Sequence, residues 1–464
     1  MRKDDLKTLE GFNCAFTQGV HTSRKRVISC VSNVHKVDIS RRSLSSTIYR
    51  AIRETEHKNN IPDDKEFMLV PPFLRSLAND NPGTYVSCEL DSGNRFYRYI
   101  VVYRPLVKYQ ECLLMFGIDC CHMPTPSYNG IMMNLIGRDG NHTNQIVATA
   151  FINTETIDNY CWFFLNCIRA GIDFENIPVQ SDRGHQRGAQ CVLAKMGLSV
   201  SLKFCVVHIK LNLFDKFKEE GVDLKALENT VVQLQRSSNV QDYFHVFESV
   251  KHISENIYDY LLLIHPTSFS VFGNKQFSKE EIYFIDSVWG HCYTFGSPLP
   301  LHGWSANTAV EGEHNAMNYD ETRLQLPLSA LFTTARRCNL RIMSITETAR
   351  KAIISNQHLY QPACLFRDSE VEFSGLYIVT RTSDSNVYCV FKAGTGGMRN
   401  LHYVHVLEHT CSNCVILQQY GIICRHQLAV IRHLRPFPSA RKNNTFSTWF
   451  PGFFQHENNM LFSC

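Results

Sequence analysis

The chain has 464 residues, 44% of them hydrophobic, and a formal net charge of +4. That length implies about three domains, and the hydrophobic share supports a sizeable core and excludes a disordered or fibrous chain. The N-terminus, Met1-Arg-Lys-Asp-Asp-Leu-Lys-Thr8, lacks the apolar stretch of a secretory signal, and no apolar run approaches the roughly 20 residues of a membrane span; a soluble intracellular protein is expected.

The 18 cysteines are scattered through apolar stretches (Cys112, Cys161, Cys167, Cys191). This is the usage of a reducing compartment, where cysteine is a small hydrophobe or a metal ligand. Basic residues cluster at Arg24-Lys25-Arg26, Arg41-Arg42, Arg336-Arg337 and from Arg425 through Arg432, Arg435, Arg441 and Lys442. Such clusters can supply phosphate contacts, although solvated surface charge is the commoner role of any one of them.

Residues 1–65 are polar, basic and weakly periodic, which fits a small DNA-binding region, its remnant or an arm. A helix is expected at Pro72–Asn79, then a turn at Asn81-Pro-Gly83 and alternating strands such as Tyr85–Leu90. From Cys112 the pattern sharpens. Cys112–Cys121, Gly130–Ile136 and Gln145–Ile152 read as strands, the last two separated by Arg138-Asp-Gly-Asn141, whose Asp-Gly step suits a tight hairpin. Tyr160, Phe163, Phe164, Cys167 and Ile168 recur at helical spacing. Ile177–Ser181 is a fourth strand, His185–Met196 a helix, Leu202–Val207 a fifth strand and Ile209–Glu220 a helix. Residues 222–300 read as a helical insertion. A final core helix opens near Glu311 and continues through Thr322–Cys338. Strands at Gly375–Val379, Val387–Lys392 and Tyr403–Leu407 precede a cysteine/histidine cluster, and 436–464 form a tail.

Three acids stand out by placement: Asp119 and Asp182 at the ends of apolar strands, and Glu311 with its neighbour Glu313 at the start of the late helix. Carboxylates where buried strands emerge suit hard divalent ions, and two-metal phosphoryl chemistry needs carboxylates holding ions about 4 Å apart. Taken singly, Asp182 could equally cap the helix near His185, and Glu311 could be an exposed helix residue. Cys205-Val-Val-His208 offers two ligands where a structural zinc site has four. Cys411-Ser-Asn-Cys414 with Cys424-Arg-His426 offers a full tetrahedral set for Zn²⁺ within sixteen residues. His409 and His433 lie near enough in sequence to substitute for a ligand.

The order of three antiparallel strands, helix, strand, helix, strand, helix resembles the RNase H-like fold, in which the first and fourth strands are neighbours. Phe116-Gly-Ile-Asp119, Ala150-Phe151, Trp162-Phe-Phe164, Ser181-Asp182-Arg183 and Cys205-x-x-His208-x-x-x-Asn212 resemble the transposase domain of Mutator-like elements. Leu74…Asn81-Pro-Gly83 and Thr308-Ala-Val-Glu311-Gly, with Arg323 and Pro327 downstream, resemble its flanking segments. Gly421-Ile-Ile-Cys424-Arg-His426-Gln-Leu-Ala-Val430 is similar to a SWIM zinc finger, although that finger opens with Cys-x-Cys. The third-acid motif of the family places Asn three residues after Glu. Here Asn315 lies four after Glu311 and two after Glu313, which keeps Glu313 as the alternative acid.

The resemblance implies an α/β, RNase H-like, mixed five-stranded sheet over 66–345, flanked by helices and carrying the insertion at about 222–300, with a zinc module at 370–435. It implies a DDE transposase that cleaves at transposon ends and joins the freed 3′-hydroxyl to target DNA. Asp119, Asp182 and Glu311 would hold Mg²⁺ or Mn²⁺, Cys205 and His208 would shape the site, and Cys411, Cys414, Cys424 and His426 would hold Zn²⁺. DNA, a homo-oligomer on DNA and a nuclear location follow from that activity. The same architecture also occurs in transposase-derived regulators that bind DNA without cutting it.

Overall fold

The computed structural model describes residues 3–434, leaving outside 16–23, parts of 37–62, 109, 111–112, 126–127, 276, 293–295, 320, 356–360, 395–400, 413 and 421. The tail expected at 436–464, with Arg435, Arg441 and Lys442, lies outside the described residues, as do Arg41 and Arg42.

The centre of the molecule is a mixed seven-stranded sheet, not the five-stranded one expected. Its strands are β1 (Tyr85–Leu90), β2 (Phe96–Val102), β3 (Leu113–Pro124), β4 (Asn129–Asp139), β5 (Asn144–Ile152), β6 (Val179–Ser181) and β7 (Leu202–Phe204), in the order β1-β2-β5-β4-β3-β6-β7. The two extra strands come from the segment before Cys112: β2 pairs antiparallel with β5, so the β1–β2 hairpin extends the sheet edge. β3 pairs antiparallel with β4, while β6 joins β3, and β7 joins β6, in parallel. The fifth strand is shorter than its expected Leu202–Val207, because Val206 already begins the helix Val206–Phe217.

β4 is buried over eight consecutive residues and β5 over its last eight, the mark of strands covered on both faces. On one face Phe116 meets Phe174, which meets Phe164 of the helix Ile157–Arg169. Thr156 caps that helix by accepting from Asn159 N, and its Phe163, Phe164 and Cys167 are fully buried. On the other face Gly117 lets the helix Thr308–Tyr319 approach. A Cβ there would fall 2.6 Å from both Asn307 Oδ1 and Val310 Cγ2, closer than packed atoms tolerate.

The expected insertion is helical: Leu224–Arg236, Val240–Ser249, Glu255–Leu262 and Lys279–Trp289. It closes on an aromatic core in which Trp289 packs edge-on against Tyr243 and Phe247. Buried Lys203 on β7 ties this unit to the sheet by donating to Thr267 O at 2.9 Å and Ser297 O at 3.0 Å. Burial holds its ammonium down to a pKa of about 7.

The helix expected at Pro72–Asn79 is longer, Asp63–Asp80, and runs through Pro71 and Pro72. The N-terminal region is more ordered than its weak periodicity implies. Helices that include Arg24–His35 enclose a small core of Leu6, Phe12, Ala15, Val27, Val31, Ile39, Ile48, Ala51 and Ile52. Near the C-terminus β8 (Tyr377–Arg381), β9 (Val387–Lys392), β10 (His402–His405) and β11 (Thr410–Cys411) form a second, antiparallel sheet. Among the described residues no helix is long and apolar enough to cross a membrane.

Candidate metal centres

The β3–β6 register places two of the expected acids together. Phe116 pairs with Val179 and Gly117 with Gln180; Asp119 and Asp182 each lie two residues further on. In a parallel pair that places both side chains on the same face, here the face of the helix Thr308–Tyr319. Asp119 is pushed up to a pKa of about 7, first by burial and then by the Asp182 charge, against a hydrogen bond that Cys120 N donates to its Oδ1 at 2.8 Å. Burial and a second carboxylate outweigh that hydrogen bond and the nearby His208 charge.

Asp182 has a cationic neighbour of its own. His208, in the first turn of the helix Val206–Phe217, places Nδ1 2.5 Å from Asp182 Oδ1. The carboxylate first, and Cys205 second, push this imidazole up to about 10. Both contacting atoms are buried, and neither has an aligned hydrogen bond.

Glu311, on the helix Thr308–Tyr319, faces Cys205 and His208: one donor atom from each of the three lies within 4.8 Å of the others. Cys205 is fully buried at the N-cap of the Val206–Phe217 helix. Its backbone N donates to Ser181 O at 2.9 Å, and its Sγ accepts from Asn307 N at 3.3 Å. The Asn307 side chain donates to Ile118 O at 3.0 Å. One asparagine thus links the strand before Asp119 with the cysteine.

Glu313 points elsewhere. Only 2% exposed, it accepts from Arg337 Nη1 at 3.0 Å and from Arg341 Nη1 at 2.9 Å. Both are on the helix Pro327–Ile354. This carboxylate is spent on a buried ion pair that locks two helices.

Two neighbours of Asp119 escape a sequence reading. His314 Nδ1 lies 3.9 Å from Asp119 Oδ2, and burial depresses its pKa to about 4. Thr149 donates to Asn134 Oδ1 at 3.0 Å, which turns the Asn134 amide N toward His314 Nε2 at 3.3 Å. A neutral imidazole accepting at Nε2 carries its proton on Nδ1, the atom facing Asp119. Glu155 adds a weaker charge to the surroundings of Asp119. His314 stands inside the acidic segment that marked Glu311, but nothing in its spacing points to Asp119.

The C-terminal centre is compact. Cys411, Cys414, Cys424 and His426 are all buried, with donor atoms within 4.8 Å of one another; this group could hold a zinc ion. His426 Nδ1 lies 3.6 Å from Cys411 Sγ and 3.7 Å from Cys424 Sγ. The contact between Cys411 and Cys414 raises Cys411 and lowers Cys414, and burial raises Cys424. Without a cation the pocket thus disfavours the ionised form at two of the three thiols, Cys411 and Cys424. A dication lets all of them ionise, so the donor set fits zinc.

Around the cluster the His402 ring stacks on His426 at 3.7 Å. Gln427 accepts from Cys424 N at 3.1 Å and donates to His409 O at 2.7 Å. His409 thus contributes a backbone oxygen, and neither it nor His433 belongs to the donor group.

Part of the basic charge is already engaged. Arg337 pairs with Glu313, Arg425 Nη2 with Glu370 Oε1 at 2.5 Å, and Arg432 Nη1 donates to Ser374 Oγ at 2.9 Å. No protein-family model matches the chain, and no curated protein does.

Proposed function

We propose that this protein is a DNA transposase of the Mutator-like class, with an RNase H-like core. In this reading it makes metal-dependent cuts at transposon ends and joins them to target DNA. The observation that carries the reading is the pair of Asp119, within β3, and Asp182, just past β6, brought together by the parallel β3–β6 pairing, with Asp119 raised to about 7 by burial and by the Asp182 charge.

Mg²⁺ or Mn²⁺ ions held there would supply charge stabilisation at the attacking and departing oxygens of phosphoryl transfer. Asp119, Asp182 and Glu311 would be the residues that hold these ions. His208 fixes the carboxylate of Asp182, and neutral His314 offers a proton toward Asp119. Glu313, committed to two arginines, is the poorer third acid. The zinc cluster acts as a stabilised module against DNA or protein, and the protein works as a homo-oligomer on DNA in the nucleus.

The test is cleavage and strand transfer by purified protein with Mg²⁺ or Mn²⁺ on DNA bearing the element's ends. Joining that vanishes in Asp119→Asn supports the reading. Tight binding without cleavage by folded, zinc-loaded protein overturns it in favour of a transposase-derived regulator.

A further inference from the structure

We infer that Cys205, His208 and Glu311 form a transition-metal site that borders the oxygen-only pair Asp119/Asp182 and is distinct from the C-terminal cysteine cluster. The inference rests on donor chemistry and geometry and not on the transposase reading.

Donor type argues first. A thiolate, an imidazole and a carboxylate together suit Zn²⁺ or Co²⁺ and are a poor set for Mg²⁺, which demands oxygen ligands. Distance argues second. Tetrahedral bonds of roughly 2.0–2.3 Å set ligand atoms roughly 3.3–3.8 Å apart. The three donors already lie within 4.8 Å of one another, close to that spacing.

The surroundings argue third. Cys205 Sγ accepts from Asn307 N, the kind of N–H···S contact that steadies a metal thiolate. Asp182 lies against His208, the carboxylate–histidine arrangement that orients a ligating imidazole. Three separate elements meet here: the end of β7, the Val206–Phe217 helix and the Thr308–Tyr319 helix. Three protein ligands leave a fourth position open, as in catalytic and regulatory zinc sites. A soft metal bound here occupies Glu311 and withdraws it from the acid pair, so Zn²⁺ and Mg²⁺ compete for one carboxylate.

The experiment is Co²⁺ titration of the chelator-stripped full-length protein, followed by visible absorption and by metal content after desalting. Wild type should take up two equivalents, one with the intense multi-thiolate absorption of the C-terminal cluster. Cys205→Ser should take up only that one, and its retained absorption reports a folded protein. Glu311→Gln, at a half-exposed position, should weaken only the other equivalent, by roughly tenfold or more. A large excess of Mg²⁺ should not displace it. Wild type binding a single equivalent, or two equivalents held undiminished by Glu311→Gln, would overturn the site. Neither readout depends on DNA cleavage, so failure here and failure of the transposase reading are separately visible.

Discussion

Asp182 Oδ1 meets His208 Nδ1 at 2.5 Å, so the acid beyond β6 is held by the first turn of the helix that follows β7. Chain order separates the two residues by a helix and a strand, and the parallel β6–β7 pairing closes that gap. The contact gives Asp182 a cationic partner at close range, whereas Asp119 is raised toward neutrality by burial and by the Asp182 charge.

The two acids should therefore respond differently to replacement. Asp119→Asn removes a carboxylate that burial and the Asp182 charge disfavour, so it should hold or raise the thermal midpoint. It should also abolish the stabilisation conferred by Mg²⁺ or Mn²⁺ and reduce cleavage by roughly 10²-fold or more. Asp182→Asn should cost the same activity but lower the midpoint, because His208 loses its partner. Thermal scans with and without Mg²⁺ decide this; equal metal-induced shifts in wild type and Asp119→Asn would count against a metal at this acid.

Glu311 and Glu313 separate by mechanism of failure. Glu313→Gln leaves Arg337 and Arg341 without their carboxylate and should cost about 2–4 kcal/mol of stability. Glu311→Gln should leave stability within about 0.5 kcal/mol while removing cleavage. Urea unfolding alongside a cleavage assay distinguishes them. A Glu313→Gln protein of wild-type stability would show that its arginine clamp contributes little.

Lys203 gives the pH dependence. Its pKa falls from the ordinary 10.5 to about 7 on folding, so between these values the unfolded chain binds the extra proton and stability rises with pH. Lys203→Met should flatten that rise between about pH 7 and pH 9 and cost about 1–3 kcal/mol at pH 9, because Thr267 O and Ser297 O lose their donor. Denaturant midpoints of both proteins at the two pH values measure it; parallel slopes would refute the assignment.

Gly117→Ala should force the Thr308–Tyr319 helix away from β3 and destabilise by about 1–3 kcal/mol. Because Val310 is one of the obstructing residues, Glu311 moves with it, and residual cleavage by the folded fraction should fall as well. Full specific activity per folded molecule would mean that the helix shifts without carrying Glu311.

Zinc removal should act regionally. Chelation or Cys424→Ser should strip hydrogen-exchange protection from β8 to β11 and the helix Arg425–Leu434 while the β2–β5 pairing stays protected. Global loss of protection would mean that the cluster supports the whole chain.

Much of the frame was legible because periodicity and turn chemistry are local. The strands leading to Asp119 and Asp182, the helix of Phe163 and Phe164, and the four-ligand cysteine cluster all declare themselves within short windows. What stayed hidden depends on partners distant in sequence. Tyr85–Leu90 reads as a strand, but nothing in it says that its hairpin joins β5. Glu313 looks like an alternative to Glu311 until two arginines 24 and 28 residues away claim it. The N-terminal helices look weakly periodic because each contributes only a few residues to a core assembled from several short pieces.

The C-terminal cysteine module is mortised into the rest of the molecule. Leu114 and Met115 of β3 share a buried cluster with Ile422, Ile423 and Leu428. Gln419 joins Leu301 N and Asn274 O across the joint, at 2.8 and 2.9 Å. A fragment cut between the two sheets would bare the strand that carries Asp119 and leave a core prone to aggregation. The module is thus no interchangeable cassette: a change near Ile422 meets β3 directly, and one at Gln419 meets the insertion.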